Sequence, residues 1–472
     1  MAPTMTKHLK ENNSFRKRRI IMSNLALLGG SPVINSKEVP ERLFKWPIIT
    51  EEDEAAALDV IRNNLYSAVP ITEKFQEEFA AWLGTKYALC FSSGTLSITA
   101  ALFAIGLGAG DEIICPTKTY WASITSSLQF GASPVFCNID EHLSIDPDDI
   151  ERCITSKTKA IMVVHYFAYP ADMDKIMAIA KKHNLIVIED CSHAQGGLYK
   201  GKRLGTFGDI AAMSLMSGKS FAAGELGILV TDNKKYIERA IAYAHYERNN
   251  EKYITESEDL KPFFNIAIGG CKGRANQLCT AMARVQLKYY DERCAEIRKA
   301  MNYFWDLLEG VPGIRAIRVD ESTGSNMAGW YSPHGMYFPE ELGGLSAKRF
   351  AEAVRAEGSK CSEGGNYCLH THRVFKDCNL YNTEKPTRIA FSDRDMRDED
   401  DLCAPSLNRH CVGVPWFKHF DEESKKWIEK YAECFRKVAE NYKDLLEGDI
   451  DKVSGGRWYG TENEEPALKK FN

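Results

Sequence analysis

The alternation of strand-like and helix-like segments between about residues 50 and 235 constrains the fold of this chain more than any other feature. Short apolar runs predict buried strands, at Tyr87–Phe91, Asp111–Cys115, Ser133–Asn138, Ala160–Val164, Leu185–Glu189 and Ile228–Thr231. Helical periods of apolar residues predict helices around and between them, at Glu52–Asn63, Leu96–Ile105 and Met173–His183. Because strands joined through helices need crossover connections, we predict an α/β fold with a mostly parallel mixed sheet flanked by helices.

The pattern changes after the sheet region, and this change predicts a second, smaller domain. A long helix over residues 277–310 is followed by a mixed region with Trp330–Phe338, a helix at Ser346–Ala356 and a helical segment from Trp416 to about Leu446. The polar stretch Asn379–Pro405 is typical of an inserted loop. We therefore predict a flexible N-terminal extension (1–35), a large domain (36–295), a smaller α+β C-terminal domain (296–446) and a C-terminal tail (447–472).

The composition argues against several classes of partner. The formal net charge of -5 gives no basic surface for nucleic acid. No apolar stretch approaches the roughly 20 residues that a membrane-spanning helix needs, and the basic segment 1–21 lacks the apolar core of a signal peptide. The 14 cysteines are scattered through apolar segments without a zinc-binding pattern, so we expect buried thiols, no metal and a cytoplasmic protein.

Asp190 and Lys219 are the first candidates for chemistry. Asp190 ends the predicted strand Leu185–Glu189, and Lys219 follows 29 residues later. A carboxylate at a strand end can keep the pyridine nitrogen of pyridoxal phosphate protonated, and a lysine amine can hold the same cofactor as a Schiff base. Taken alone, however, Asp190 is also typical of a loop cap and Lys219 of a solvated surface residue. Both assignments therefore depend on their surroundings.

Three further features lie where a parallel sheet binds ligands, beyond the ends of its strands. The small residues Ser92–Thr95 separate a strand from a helix, where backbone N–H groups favour a phosphate, although such residues also cap ordinary helices. Thr119–Trp121 brings aromatic rings that can stack on a cofactor, although aromatic residues are more often core. Ser214 lies five residues before Lys219, where its hydroxyl can reach the same phosphate.

The order of these features resembles the DegT/DnrJ/EryC1/StrS family of sugar aminotransferases, which are fold type I pyridoxal-phosphate enzymes. The resemblance extends from about Trp46 to Leu287 and is carried by SSGTLSITAALFAIGLGAGDEIICPTKTYWAS, ASPVFCNID and VVHYFAYPADMDKIMAIAKKHNLIVIEDCSHAQGGLYKGKRLGTFGDIAAMSLMSGK. Beyond that region only patches match, at Tyr367–His370 and Val412–Pro415. The resemblance implies a fold type I transferase whose cofactor is pyridoxal 5'-phosphate.

The resemblance also implies a role for each matching residue. Lys219 would form the Schiff base and Asp190 would pair with the pyridine nitrogen, and these two would carry the catalysis. The other implied cofactor contacts are Gly94, Thr95 and Ser214 for the phosphate, Tyr120 for the ring face and His193 for the 3'-oxygen. His193 stands where the family usually has Gln, and a buried structural histidine is an equally good interpretation of it.

Family members are dimers that share residues between their sites, which implies a homodimer here. The loop Gly270–Arg274 would reach the cofactor phosphate of the neighbouring subunit, with Lys272 where many members have Asn; a surface lysine in a loop is the alternative. The turn Gly224–Gly227 departs from the family pattern and suggests altered packing beside the site. Asn379–Pro405 has no clear counterpart in the family and could reshape the substrate pocket.

The function implied is the transfer of an amine from glutamate or glutamine to a cyclic keto-sugar or keto-cyclitol. The opening LALLGGSPVI and Lys272 resemble the subgroup that acts on inososes. A sugar dehydratase is the first alternative, but those relatives have His in place of the lysine. A non-catalytic sugar-binding or regulatory homologue is the second, and it predicts the loss of Lys219 or Asp190. A nicotinamide dehydrogenase is disfavoured because no GxGxxG follows an early strand.

Overall fold

A seven-stranded sheet forms the centre of the molecule in the computed structural model, which describes residues 23–67, 69–397, 399, 402 and 404–450. Its strands are β1 (Tyr87–Phe91), β2 (Glu112–Pro116), β3 (Ser133–Cys137), β4 (Thr158–Val164), β5 (Ile186–Asp190), β8 (Ile210–Ser214) and β9 (Gly227–Thr231). A small hairpin, β6 (Leu198–Tyr199) and β7 (Lys202–Arg203), lies between β5 and β8 in the chain. The order is β1-β9-β8-β5-β4-β2-β3, and β9 alone runs antiparallel to its neighbours. The predicted mostly parallel mixed sheet is confirmed.

Strand β8, Ile210–Ser214, is absent from the predicted strands. Its sequence IAAMS contains two alanines, which have low strand propensity, and it gives no clear alternation. The strand forms because it is enclosed between β5 and β9, where four of its five residues are buried. Tertiary burial therefore decides its conformation.

Helices cover the sheet region, and their ends follow local capping rules. They are α1 (Glu51–Arg62), α2 (Pro70–Leu83), α3 (Gly94–Ala104), α4 (Pro147–Cys153), α5 (Met173–His183), α6 (Lys234–Ala244) and α7 (Gln277–Leu307). Thr50 and Asp53 form a reciprocal capping box at the start of α1. Asn184 ends α5 in the left-handed conformation that asparagine tolerates. The predicted helices agree with α1, α3, α5 and α7 within a few residues at each end.

A second, antiparallel sheet lies in the C-terminal region. Its strands are β10 (Ile314–Ala316), β11 (His334–Tyr337), β12 (Ser362–Glu363) and β13 (Cys411–Gly413), in the order β10-β11-β13-β12. Four helices accompany it: α8 (Ala347–Ala356), α9 (Arg373–Lys376), α10 (Ala404–Arg409) and α11 (Glu422–Glu440). Helix α7 crosses the predicted domain boundary between residues 295 and 296 without a break. The division into domains stays a prediction.

Residues 23–35 differ from the predicted flexible extension, because they pack against the C-terminal region. Leu25 and Ile34 are buried. The backbone N–H groups of Ala26 and Val33 donate to the carboxylate of Glu357 at 2.7 and 3.2 Å. A buried carboxylate needs such donors, so the segment is held by polar as well as apolar contacts. The remainder of the predicted extension (1–22) and most of the predicted tail (451–472) lie outside the described residues.

The predicted insertion Asn379–Pro405 contacts the edge strand β3 through Arg388, one of its described residues. Arg388 within it is fully buried, and its Nε donates to the carbonyl oxygen of Pro134 at 2.9 Å. Ser133 Oγ donates in return to the carbonyl oxygen of Arg388 at 2.6 Å. Unpaired strand edges invite pairing with other chains, so covering β3 protects the sheet.

Candidate active site

A cleft of about 330 Å³ opens beyond the carboxyl ends of the central strands, the position where open α/β sheets bind ligands. Its lining includes seven of the eight predicted site residues: Gly94, Thr95, Tyr120, Asp190, His193, Ser214 and Lys219. They lie at the carboxyl ends of β5 and β8 or in the segments that follow β1, β2, β5 and β8. None of the described residues of the predicted insertion lines this cleft, and its effect on the substrate pocket stays a prediction.

Asp190 ends β5 as a buried carboxylate with two hydrogen-bond donors. Ser123 Oγ donates to its Oδ2 at 2.7 Å, and the backbone N–H of Ser192 donates to its Oδ1 at 3.0 Å. These bonds fix the plane of the carboxylate. Ser123 is not among the predicted site residues, because a single serine in a polar segment carries no local signal.

A second buried carboxylate, that of Glu189, supports Asp190 from the neighbouring position. His165 Nε2 lies 3.1 Å from it, and the backbone N–H groups of Gly205, Phe207 and Gly208 donate to it at 2.7–2.8 Å. Burial by itself raises the pKa of Glu189, but the bond from His165 and the backbone donors outweigh it and hold this pKa below its ordinary value. This network ties the end of β5 to the loop 205–208.

Lys219 places its amine in the cleft from a buried position. Its Nζ lies 4.2 Å from the centre of the Tyr331 ring. Its carbonyl oxygen accepts a hydrogen bond from Trp46 Nε1 at 2.8 Å. Burial lowers the pKa of Lys219 to about 8, and the nearby Asp190 opposes part of this shift. The amine is therefore a much better nucleophile near neutral pH than an exposed lysine.

The start of helix α3 forms a cradle that fits a phosphate. Ser93 caps the helix by accepting from the backbone N–H of Leu96 at 3.2 Å. A Cβ atom on Gly94 would lie only 2.5 Å from Cβ of Ser214, so glycine is required for this close approach of α3 to the end of β8. Thr95 adds a hydroxyl-bearing side chain at the helix N-terminus, which favours anions.

His193 lines the same cleft as a neutral imidazole. Its Nδ1 accepts from the backbone N–H of Phe167 at 3.3 Å, which leaves the proton on Nε2. Burial, together with the nearby Lys219, lowers the pKa of His193 well below its ordinary value. Its ring centre lies 4.6 Å from that of Tyr331, a cleft residue that the sequence did not indicate.

Tyr331 is held by an unusual stretch of backbone. Trp330 and Ser332 on either side of it have positive φ angles of 49° and 53°. Such conformations cost of order 1–3 kcal/mol each for non-glycine residues and concentrate at functional sites. Only the surrounding tertiary structure selects these backbone conformations, which explains why the sequence pattern did not predict Tyr331 as a site residue.

Asn366 enters the cleft from the C-terminal region, on the segment that contains the motif Tyr367–His370. Thr117, just after β2, anchors this segment: its carbonyl oxygen accepts from the N–H of Leu369 at 2.7 Å, and its hydroxyl lies 2.5 Å from Nδ1 of His370. The buried Lys118 donates to the carbonyl oxygen of Asn366 at 3.1 Å. The two sheets thus meet at the cleft.

Lys272 is the one predicted site residue that does not line the cleft of its own chain. It is exposed, and its Nζ lies 5.2 Å from the centre of the Tyr246 ring. A role at the cofactor of a neighbouring subunit stays a prediction.

These residues fit pyridoxal phosphate by the chemistry of their donors. The cradle at α3 suits the phosphate, the carboxylate oxygens of Asp190 suit the pyridine nitrogen, and the amine of Lys219 suits the aldehyde. Tyr120 presents an aromatic ring on the same cleft. The cofactor that fits this cleft defines the protein as a pyridoxal-phosphate-dependent transferase.

Comparison with known proteins agrees with this class. The model of the DegT/DnrJ/EryC1/StrS aminotransferase family matches residues 47–393, and the chain belongs to this family of sugar and cyclitol aminotransferases. A protein of Micromonospora echinospora named as an L-glutamine:3-amino-2,3-dideoxy-scyllo-inosose aminotransferase is 32% identical over 354 residues, which are 74% of this chain and 81% of that protein. GDP-perosamine synthase of Escherichia coli O157:H7 is 44% identical over 233 residues, which are 49% of this chain and 61% of that protein.

Solved structures share the fold. An aminotransferase of Psychrobacter cryohalolentis superposes with a TM-score of 0.72 at 27% sequence identity, covering 85% of this chain and 100% of that one. DesV of S. venezuelae superposes with a TM-score of 0.65 at 26% identity, covering 82% of this chain and 94% of that one. None of the helices in the described part of this chain is long and apolar enough to cross a membrane.

The lowered pKa of Lys219 predicts how the rate of covalent cofactor capture depends on pH. Only the neutral amine attacks an aldehyde, and with a pKa of about 8 its neutral fraction grows about fivefold from pH 7 to 8 and less than about twofold from 8 to 9. We expect the rate of absorbance change on adding pyridoxal phosphate to cofactor-free protein to level off in the same way. A rate that still rises about tenfold from pH 8 to 9 would indicate an ordinary, exposed lysine.

Proposed function

We propose that this protein transfers the amino group of glutamine or glutamate to the carbonyl carbon of a cyclic keto-sugar or keto-cyclitol. The observation that carries the proposal is the buried amine of Lys219, which lines one cleft with the carboxylate of Asp190. A dehydratase of this family would have histidine at that position, and a non-catalytic homologue would not need to bury both groups. Burying a lysine and a carboxylate lowers the stability of the fold, and groups buried in this way are concentrated at functional sites.

Bound pyridoxal phosphate supplies an electron sink that accepts the charge formed when the α-carbon of the amino donor loses its proton. The amine of Lys219 takes that proton and later returns one to the acceptor carbon. The carboxylate of Asp190, oriented by Ser123 and Ser192, holds a proton on the pyridine nitrogen. His193 Nε2–H is a neutral donor that suits an oxygen atom on the cofactor ring, and the ring of Tyr120 suits its face.

The C-terminal region also contributes side chains to the cleft. Tyr331 and Asn366 line it from the C-terminal region, opposite the strand ends of the central sheet. We propose that these side chains orient the acceptor, since they are the described residues that the second region contributes there. We also propose a homodimer, in which the exposed Lys272 reaches the phosphate held by the neighbouring subunit.

The acceptor class rests on the named relatives. One acts, by its name, on an inosose and another makes a nucleotide-linked amino sugar. We propose a cyclitol ketone as the first candidate acceptor. The relative named for an inosose aligns with 74% of this chain, and this alignment includes part of the C-terminal region.

The half-reaction with the amino donor tests this function. The cofactor-loaded protein, incubated with glutamine or glutamate and no acceptor, should lose its absorbance near the visible edge as the cofactor takes up the amine. One equivalent of the matching 2-oxo acid should appear, and addition of scyllo-inosose should restore the absorbance. If the cofactor takes up an amine from none of the amino acids tested, the proposal is wrong, and the dehydratase or the binding protein is favoured.

A further inference from the structure

A second pocket, of about 460 Å³, lies beside the cleft and has a lining of a different chemical character. Two lysines line it, Lys360 and Lys418, together with the tryptophans Trp46 and Trp416. Hydroxyl groups come from three serines, Ser217, Ser332 and Ser362. None of the described residues that line this pocket is acidic, so its two lysine amines have no carboxylate partner there.

Lys418 is the residue that makes this pocket unusual. Its side chain is almost fully buried, and its Nζ has no hydrogen-bond partner among the described residues. The amine lies against the ring of Trp416 and 4.9 Å from the centre of the Trp46 ring. Burial, together with the nearby Lys360, lowers the pKa of Lys418 well below its ordinary value. A protein that leaves a lysine in this state loses stability, unless a ligand supplies the missing partner.

The pocket and the cleft share their walls. Met216 and Lys219 line the cleft, whereas Ser217 and Gly218 between them line the pocket. In the same way Tyr331 lines the cleft and Ser332 lines the pocket. The pocket is therefore separated from the cleft by the segments that contain Lys219 and Tyr331, and a group bound in the pocket would lie against the same segments as a molecule in the cleft.

Aromatic contacts connect the two spaces as well. The ring of Trp416 meets that of Tyr331 edge to face with centres 5.8 Å apart, and Trp46 Nε1 donates to the carbonyl oxygen of Lys219. The rings of Trp46 and Trp416 have centres 6.1 Å apart. A group bound against these tryptophans would lie directly beside the segment that carries the reactive lysine.

We propose that this pocket is a subsite for an oxyanion of the substrate, bound by the serine hydroxyls and by the amines of Lys418 and Lys360, whose protonated forms the anion would stabilise. Ammonium and hydroxyl donors without an acid among them are complementary to a carboxylate or a phosphate. The tryptophan rings supply flat apolar surface for the carbon skeleton attached to the anion. The inference rests on the proposed aminotransferase function, since it assigns the oxyanion to a molecule that reacts at Lys219.

Two substrates can supply the oxyanion, and two probes distinguish them. Glutarate has both carboxylates of glutamate, one of which corresponds to the α-carboxylate of glutamine, but it lacks the amine and so cannot react. Inorganic phosphate represents a phosphorylated or nucleotide-linked acceptor. Both would be titrated calorimetrically into the cofactor-loaded protein, whose cofactor-phosphate cradle is already filled. We expect at least one probe to bind to the wild-type protein.

Lys418→Met is the test variant, since methionine keeps the length and packing of the side chain but removes the amine. Binding of the responsive probe should weaken about tenfold or more. Lys430→Met is the matched control: Lys430 also lies over a tryptophan ring, that of Trp427 at 4.4 Å, but on the exposed surface of α11. The Lys430→Met protein should bind both probes with the same binding constants as the wild type.

Weaker glutarate binding in Lys418→Met assigns the subsite to the amino donor, and weaker phosphate binding assigns it to the acceptor. If neither probe binds, or if both bind equally to Lys418→Met and wild type, the subsite does not exist. The melting temperature distinguishes a structural role of Lys418 from a role in ligand binding. If the amine binds a ligand, the Lys418→Met protein should melt at a temperature no lower than that of the wild type. The half-reaction with glutamine is scored separately, so either proposal can fail while the other stands.

Discussion

Replacing Lys219 by alanine is expected to lower the rate of amine transfer by at least about 10³-fold, because the same side chain holds the cofactor and moves the proton. The buried amine lines the cleft beside Tyr331, and burial keeps it a competent nucleophile near its pKa of about 8. The measurement is the single-turnover rate with glutamine, followed by absorbance. Borohydride reduction of the wild-type protein should leave the cofactor attached to the peptide that contains Lys219.

Two controls make this result specific to the amine. Lys219→Arg keeps a cation in the cleft but has no free amine, so it should be as impaired as Lys219→Ala. Added methylamine should restore part of the rate to the alanine variant, because the space left by the side chain admits a small amine. A Lys219→Ala protein that transfers the amine at the wild-type rate would overturn the assignment.

Replacing Asp190 by asparagine is expected to produce the second largest effect, a loss of roughly 10²- to 10⁴-fold in the same rate. Asparagine has nearly the same shape, and its oxygen can still accept from the N–H of Ser192. What disappears is the buried negative charge that would keep a proton on the pyridine nitrogen. The variant should therefore fold normally and still react with the cofactor at Lys219, but should fail at proton removal from the donor.

Ser123→Ala provides the matched control, since it removes the hydroxyl that donates to Asp190 at 2.7 Å but leaves the charge in place. It should lose far less activity than Asp190→Asn. A deuterium label at the α-carbon of the donor gives the decisive readout, because slower proton removal enlarges the isotope effect. Equal rates for Asp190→Asn and Ser123→Ala would indicate that the carboxylate acts only as a hydrogen-bond acceptor.

Much of the sheet could be predicted because its signal is local. Six of its seven strands are buried apolar runs bounded by turn residues, and the ends agree within about two residues. The site residues at strand ends could be predicted for the same reason, since the carboxyl ends of parallel strands meet at one edge. Asp190 at the end of β5 and Gly94 shortly after β1 are examples of this rule. Strand β8 was missed because its alanines carry no strand preference outside the sheet.

The sequence by itself thus determined the α/β fold and the order of its strands along the chain. It also indicated Asp190 and Lys219 as candidate catalytic residues. Only the tertiary structure decided the rest of the site: Ser123 at the carboxylate, Tyr331 beside the lysine amine, and Lys418 in the second pocket. The physical reason is that these contacts join segments far apart in the chain, whose burial depends on what packs around them. A lysine such as Lys418 looks like any surface residue in the sequence, and only the walls built by Trp46 and Trp416 remove it from water.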